Sequence, residues 1–284
     1  MLKQRVITAV VLLAILLPAL FWRTPEPFLA VAVVLIGAGG WEFARLNGCG
    51  SVASIAMGAA CVVLCAVAWW LGWAEQPLPG LWLAAGIVWT VAGAALLRLG
   101  VAGWPGIPRA LRLVGGLAAL WLAWLAVAQA RVTGVNFLLS VLVLVWVADI
   151  GAYFAGRTFG LKFTRNKLAP SISPGKSWEG VWGGVVGVLL LAAGWIAGDR
   201  QWGADVPSLY TRLVGQGWAW LLAGALYLSA MSVAGDLVES LVKRSAGAKD
   251  SSALLPGHGG VLDRVDALLP TLPLAMMLAS LSTP

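Results

Sequence analysis

Residues 135–155 read VNFLLSVLVLVWVADIGAYFA, an apolar run whose one charged side chain, Asp149, lies near its end. At 1.5 Å of rise per residue, a helix of this length spans about 30 Å, the thickness of a bilayer's hydrocarbon core. The stretch reads as a membrane-crossing helix.

Comparable runs recur on both sides of it, at 6–22, 28–44, 52–73, 81–97, 113–130, 180–198, 217–235 and 267–282. Together they predict an all-α, polytopic membrane protein with about nine spans. The composition agrees, with 60% hydrophobic residues, 11% charged residues and a mean hydropathy of +0.89, whereas soluble domains carry about 25% charged residues. The first run follows Lys3 and Arg5 as a secretory leader would. No small-residue cleavage site follows it and further spans do, so it is expected to be the first membrane helix.

Charge sets the expected orientation. With the N-terminus in the cytoplasm, all of the 19 Lys and Arg except Arg23, Arg131, Arg200 and Arg212 fall in inner segments, as the positive-inside rule requires. The net charge of +7 therefore reflects topology, and no nucleic-acid partner is expected. Cys49, Cys61 and Cys65 have no nearby histidine and are expected to be structural. Tryptophans near span ends, among them Trp22, Trp41, Trp73, Trp104, Trp178 and Trp218, read as interface anchors. Gly180 with Gly184, and Gly183 with Gly187, have the four-residue spacing of close helix packing, with homodimerisation the weaker reading of the same pattern.

No internal repeat or flexible linker divides the chain, so a single domain over 1–284 is expected, with 1–134 mainly scaffold and 135–284 the active half. The first five spans hold almost no ionisable residue, Glu42 at the end of the second being the exception. Acids then gather at span ends: Asp149, Asp236, Glu239, Asp263 and Asp266. Carboxylates at membrane depth are costly and are functional candidates by default.

The densest segment, Ser240 to Asp266, reads SLVKRSAGAKDSSALLPGHGGVLDRVD. Asp236, Glu239 and Lys243 would share one helix face if the preceding helix continues through them. Asp263 and Asp266 would point together, with Arg264 turned away. Two such acid sets suit a hard divalent cation, Mg²⁺ being the natural choice. The competing reading is a network of ion pairs with Lys243, Arg244, Lys249 and Arg264. His258 sits among glycines, where backbone N–H groups of Gly259 and Gly260 could face an anion.

A second segment runs from Asp149 to Gly180. Asp149, Tyr153 and Gly156 lie along one helix face. Arg157, Lys162, Arg165, Lys167 and Lys176, with Ser171, Ser173 and Ser177, could bind a triphosphate or a lipid phosphate, or could be an ordinary basic inner loop. Gly175-Lys176-Ser177 is no P-loop, because position 170 is Pro where that motif requires Gly.

The Ser240–Asp266 segment resembles the signature of the phosphatidate cytidylyltransferases at Ser240, Lys243-Arg244, Lys249-Asp250, Ser252, Leu255-Pro256, His258-Gly259-Gly260, Asp263-Arg264 and Asp266. Ile172-Ser173-Pro174, Lys176-Ser177 and Glu179-Gly180 resemble the stretch that precedes it in that family. The resemblance implies a nine-helix fold in a bacterial-type inner membrane, with a cytoplasmic active site open to the bilayer. It implies transfer of CMP from CTP to phosphatidic acid, with Mg²⁺ and, as an option, a monovalent cation such as K⁺ beside it. Carried onto this chain, Asp236 and Asp263 would hold the metal with Asp266 close by. Lys243, Arg244, Lys249, Asp250, His258 and Arg264 would join them in catalysis. Asp149, Tyr153, Arg157, Ser173, Lys176, Ser177, Glu179, Gly259 and Gly260 would bind substrate, and which basic bank holds CTP stays open. A transporter of an anionic solute is the alternative. It would more typically show repeated halves and broken helices with polar residues at mid-membrane.

Overall fold

A computed structural model of the chain describes residues 2–282 and the side chains from Gln4 to Ser282. The side chain of Lys3, counted above among the inner basic residues, and positions 1, 283 and 284 of the domain lie outside the described part.

The apolar runs are all helical. In chain order the elements are α1 (Leu2–Leu20), α2 (Glu26–Leu46), α3 (Ser51–Trp70), α4 (Pro79–Gly103), α5 (Arg109–Thr133), α6 (Val135–Phe159), β1 (Lys167–Ala169), β2 (Ser173–Ser177), α7 (Trp178–Trp202), α8 (Leu209–Gly215), α9 (Trp218–Ser245), α10 (Leu262–Val265) and α11 (Leu268–Leu281). Eight stretches among the described residues are long and apolar enough to cross a membrane, α10 and α11 together making the last. The ninth apolar helix is α1, whose Val6, Val10, Leu13 and Leu17 are about half exposed, as befits a side facing lipid. The protein is a nearly all-α, multi-pass membrane protein. The hairpin of β1 and β2, paired antiparallel between α6 and α7, was not foreseen; it supplies two short strands at the head of α7.

Several helices outrun their apolar stretches. The run at 217–235 becomes α9, which continues to Ser245 through Asp236, Glu239, Lys243 and Arg244. Helical hydrogen bonding is indifferent to side-chain polarity, so hydropathy ended the span where the charges began.

Helices α6 and α7 make the closest pair in the bundle. A Cβ on Gly151 would sit 2.7 Å from the Gly183 carbonyl oxygen, and one on Gly184 would sit 2.7 Å from that of Ala148. The glycine spacing therefore serves packing within the chain. Near the centre stands α11, touching α4, α5, α6, α8 and α9, with Leu272, Leu274 and Ala275 buried.

Each end of the bundle carries its own polar network. At one end, Arg131 donates to the Trp22 carbonyl at 2.6 Å and Gln129 donates to the carbonyls of Trp73 and Gln76. There Asp199 also takes the Ser208 N–H and the Thr211 hydroxyl, bracing Ser208, which caps α8. The opposite end gathers the start of α1, the end of α2, the α4–α5 connection, the hairpin and the segment 246–266. Trp104 differs from its expected place in an interface belt: it is 6% exposed, packed with Ile172, Leu237, Leu241 and Val242. Trp22, Trp202 and Trp218 are well exposed near helix ends. Cys49, Cys61 and Cys65 are free thiols, the last two buried.

Candidate active site

The last turns of α9 and the start of α10 meet through one lysine. Lys243 Nζ stands 2.5 Å from Glu239 Oε2, one turn earlier, and 2.5 Å from Asp263 Oδ1. All three side chains are nearly buried. The other Asp263 oxygen accepts from the Ser251 N–H at 2.9 Å and the Gly260 N–H at 2.8 Å, and it shares the Ser251 hydroxyl, 3.0 Å away, with Glu42. Asp263 thus folds the signature loop back on its own helix while meeting a buried cation.

A second acid–base pair lies about one turn earlier on α9. Lys176, on β2, reaches Asp236 Oδ2 at 2.6 Å, and Ser240 donates to the other Asp236 oxygen at 3.3 Å. The helix is unbroken from Asp236 to Lys243, so the three share a face as expected, but they meet different partners: Glu239 and Lys243 pair with each other, and Asp236 pairs with Lys176 on the hairpin. Asp149 on α6 and Asp266 beyond α10 both lie within electrostatic range of Asp236. Helices α6 and α9 and the residue that follows α10 thereby bring carboxylates to one region, and Lys176 pairs with one of them.

The loop between α9 and α10 owes its shape to its glycines and to a distant acid. Gly257 and Gly259 adopt φ of +77° and +84°, values that side chains disfavour. A Cβ on Gly260 would collide with Ser251 Oγ and Glu42 Oε1. Glu42 is fully buried and accepts from the Ser252 hydroxyl at 2.5 Å, the Ser251 hydroxyl at 3.1 Å, the Val261 N–H at 2.9 Å and the Leu262 N–H at 2.7 Å. It thus holds both ends of the loop. Read in the sequence as the exception within a scaffold span, Glu42 is the main residue of this site that sequence reasoning passed over. Its signal was its solitude in an uncharged helix.

The remaining expected residues separate by environment. Arg244, Lys249, Asp250 and Arg264 are exposed at this end. Arg244 donates to the Ala248 carbonyl. Arg264 turns away from the acids, as expected, and donates through two nitrogens to the His258 carbonyl. His258 is half-buried, and its Nδ1 has no partner among the described residues. The Gly260 N–H, considered for an anion, points instead to Asp263. A Cβ on Gly259 would stand 2.7 Å from Asp263 Oδ2, so that acid leaves no room for a side chain there. From α1, Arg5 and Thr8 donate to the carbonyls of Gly257 and Pro256, latching the loop.

In the other segment, Asp149 and Tyr153 are exposed, and Arg157 donates to the Tyr153 hydroxyl at 2.9 Å. Ser173 is half-buried on β2. Ser177 caps α7 by accepting the Gly180 N–H at 3.2 Å. Glu179 is buried and accepts from the Phe163 and Thr164 N–H groups and the Thr164 hydroxyl. In this arrangement Ser177 and Glu179 fix the hairpin that carries Lys176.

No three Asp, Glu, His or Cys side chains among the described residues form a finished metal cage. The donor chemistry still fits a hard cation. Asp236 and Asp263 each have an ammonium at one oxygen, Lys176 at the first and Lys243 at the second, so a hard cation at either acid would stand where a lysine ammonium now does. Mg²⁺ usually takes one or two carboxylates and completes its shell with water and substrate phosphates, without an all-protein cage.

The sequence pattern described as the Cytidylyltransferase family matches residues 3–282. A phosphatidate cytidylyltransferase of Pseudomonas aeruginosa is 41% identical over 277 residues, covering 96% of this chain and 95% of the relative. One from Haemophilus influenzae is 37% identical over 317 residues, covering 96% of each. One from Bacillus subtilis is 40% identical over 148 residues, about half of either chain.

Proposed function

Because the chain belongs to the cytidylyltransferase family, we infer that the polar end built from α2, α6, α9, α10 and the hairpin is its active site. The protein is a phosphatidate cytidylyltransferase, transferring CMP from CTP to phosphatidic acid to give CDP-diacylglycerol and pyrophosphate. The relatives give no support to a transporter.

The observation that carries the site assignment is the pairing of two acids on separate elements with two lysines, Lys176 with Asp236 and Lys243 with Asp263. The reaction brings two polyanions together. Phosphate monoesters have a second pKa of about 6, so the phosphatidate oxygen is already an anionic nucleophile near neutral pH and needs no base. It attacks the α-phosphorus of CTP, and the bond to the β-phosphate oxygen breaks. The barrier lies in positioning and charge neutralisation.

Asp236 and Asp263 would hold Mg²⁺, with Asp266 beside them and K⁺ as an optional second ion. When bound, the ion supplies charge neutralisation at the phosphates and at the departing pyrophosphate. Lys176 and Lys243 bind phosphate oxygens with charge-assisted hydrogen bonds. Arg244, Lys249, His258 and Arg264 form the outer bank, and Glu42 keeps the loop in place. With this end in the cytoplasm of a bacterial-type inner membrane, CTP and the basic residues share one compartment.

The test is conversion of phosphatidic acid by purified protein in detergent with CTP and Mg²⁺, beside Asp263→Asn. Product from the wild type alone is expected. Full activity in Asp263→Asn would overturn the site assignment, and no product from the wild type under varied lipid and ions would overturn the reaction.

A further inference from the structure

Consecutive helices α4 and α5 barely touch; each packs instead on α11, and α4 also packs on α9. Between them lies a cavity of about 440 Å³, within the usual range for ligand sites. Its walls are apolar, with Val88, Ala92 and Leu99 from α4, Leu111 and Ala118 from α5 and Val242 from α9. Val88, Leu99 and Leu111 are more than half exposed, so the groove opens sideways toward lipid.

Its dimensions match one leaflet. The lining on α4 runs from Ala85 to Leu99, about 21 Å at 1.5 Å per residue. One leaflet with its headgroup region is about 20–22 Å thick, so a groove of this length can run from mid-membrane to the headgroups at the active end.

Two of its residues are glycines whose absent side chains serve no packing. A Cβ on Gly93 or on Gly115 would meet nothing within 4 Å, unlike Gly151 and Gly184, which admit a neighbouring backbone. These glycines keep the groove wide.

At the headgroup end two buried donors lack acceptors. Trp104 Nε1 and Arg112 Nε line the groove without a hydrogen-bond partner among the described residues, and Arg112 stacks over the Trp104 ring at 5.7 Å. Buried donors without partners are rare, and phosphate or ester oxygens of a lipid would satisfy these. Glu239 also lines the groove and leads through Lys243 to Asp263.

We propose that the α4–α5 groove receives one acyl chain of the phosphatidate substrate, entering sideways from the bilayer, with Trp104 and Arg112 meeting its headgroup region. The proposal rests on the phosphatidate cytidylyltransferase reading and names the element that admits the lipid.

The experiment compares wild type, Gly93→Leu and Gly115→Leu, using dioleoyl and short, dispersed dihexanoyl phosphatidate. A radioactive phosphatidate carrying a diazirine in one acyl chain is photolysed with each protein in nanodiscs. The KM for dioleoyl phosphatidate is expected to rise at least tenfold in the variants, with the KM for CTP and the dihexanoyl turnover unchanged. Label is expected on α4 and α5 peptides of the wild type, displaced by unlabelled phosphatidate and lost in the variants. Label elsewhere, label displaced equally by neutral phospholipid, or an unchanged dioleoyl KM in both variants would overturn the groove. A wild type that makes no product from either lipid would refute the reaction instead, while the photolabel still reads the groove.

Discussion

Glu42 on α2 accepts a hydrogen bond from the hydroxyl of Ser252 at 2.5 Å across 210 positions of chain. Its second oxygen takes the Leu262 N–H at 2.7 Å, so a helix from the supposed scaffold fixes the loop and the start of α10. In Glu42→Gln one acceptor becomes a donor, leaving buried donors without partners at about 1–3 kcal/mol each. The expected outcome is a lowered melting temperature in detergent and at least a tenfold loss of turnover, with partial recovery in Glu42→Asp. Wild-type melting and turnover in Glu42→Gln would remove the anchoring role.

Lys243 answers two carboxylates at once, Glu239 and Asp263. Removing one member of a buried ion pair costs about 3–5 kcal/mol because the partner charge is stranded. Lys243→Met is therefore expected to be both inactive and strongly destabilised, whereas Glu239→Gln, which leaves the Asp263 pair intact, should melt closer to wild type. Thermal unfolding of both variants and of the double variant measures the coupling. Equal destabilisation by the two single changes would contradict the ranking.

Lys176 and Asp236 behave differently because both are partly exposed, at 26% and 30% of their side chains. Exposed pairs contribute about 0–1 kcal/mol, so Lys176→Ala should leave melting nearly unchanged while turnover falls by an order of magnitude or more. A melting loss as large as that of Lys243→Met would make Lys176 a structural residue.

Much of this architecture was legible in the sequence because burial in lipid imposes a length and a composition on each helix. The run at 135–155 became α6, ending four residues later at Phe159. Pairing was less legible. The sequence put Asp236, Glu239 and Lys243 together by helical spacing, but which acid meets which base depends on the positions of α10 and the hairpin, elements remote in the chain. Glu42 was visible as an isolated charge. Its partners, Ser251, Ser252, Val261 and Leu262, became apparent only through the packing of α2 against the loop. Of the four bases in the ion-pair reading, Lys243 alone is seen paired with acids among the described residues, while Arg244 and Arg264 donate to backbone carbonyls; the pairing leaves the proposed role of Asp263 open to test.

The helix glycines divide into two kinds, and the division predicts opposite responses to one substitution. In Gly184→Leu the new side chain meets the Ala148 carbonyl oxygen, 2.7 Å from where its Cβ would stand, and α6 must move. Overpacking of this kind costs about 1–3 kcal/mol, and here it displaces Asp149 on the same helix. In Gly115→Leu the Cβ enters open space, so folding should be unaffected. Melting curves of the two variants are expected to separate, with Gly184→Leu lower and Gly115→Leu at the wild-type temperature. Because the α7 glycine face is covered by α6, Gly184→Leu should also leave the oligomeric state measured by light scattering unchanged. A shift in that state would mean that this face also contacts a second copy of the chain.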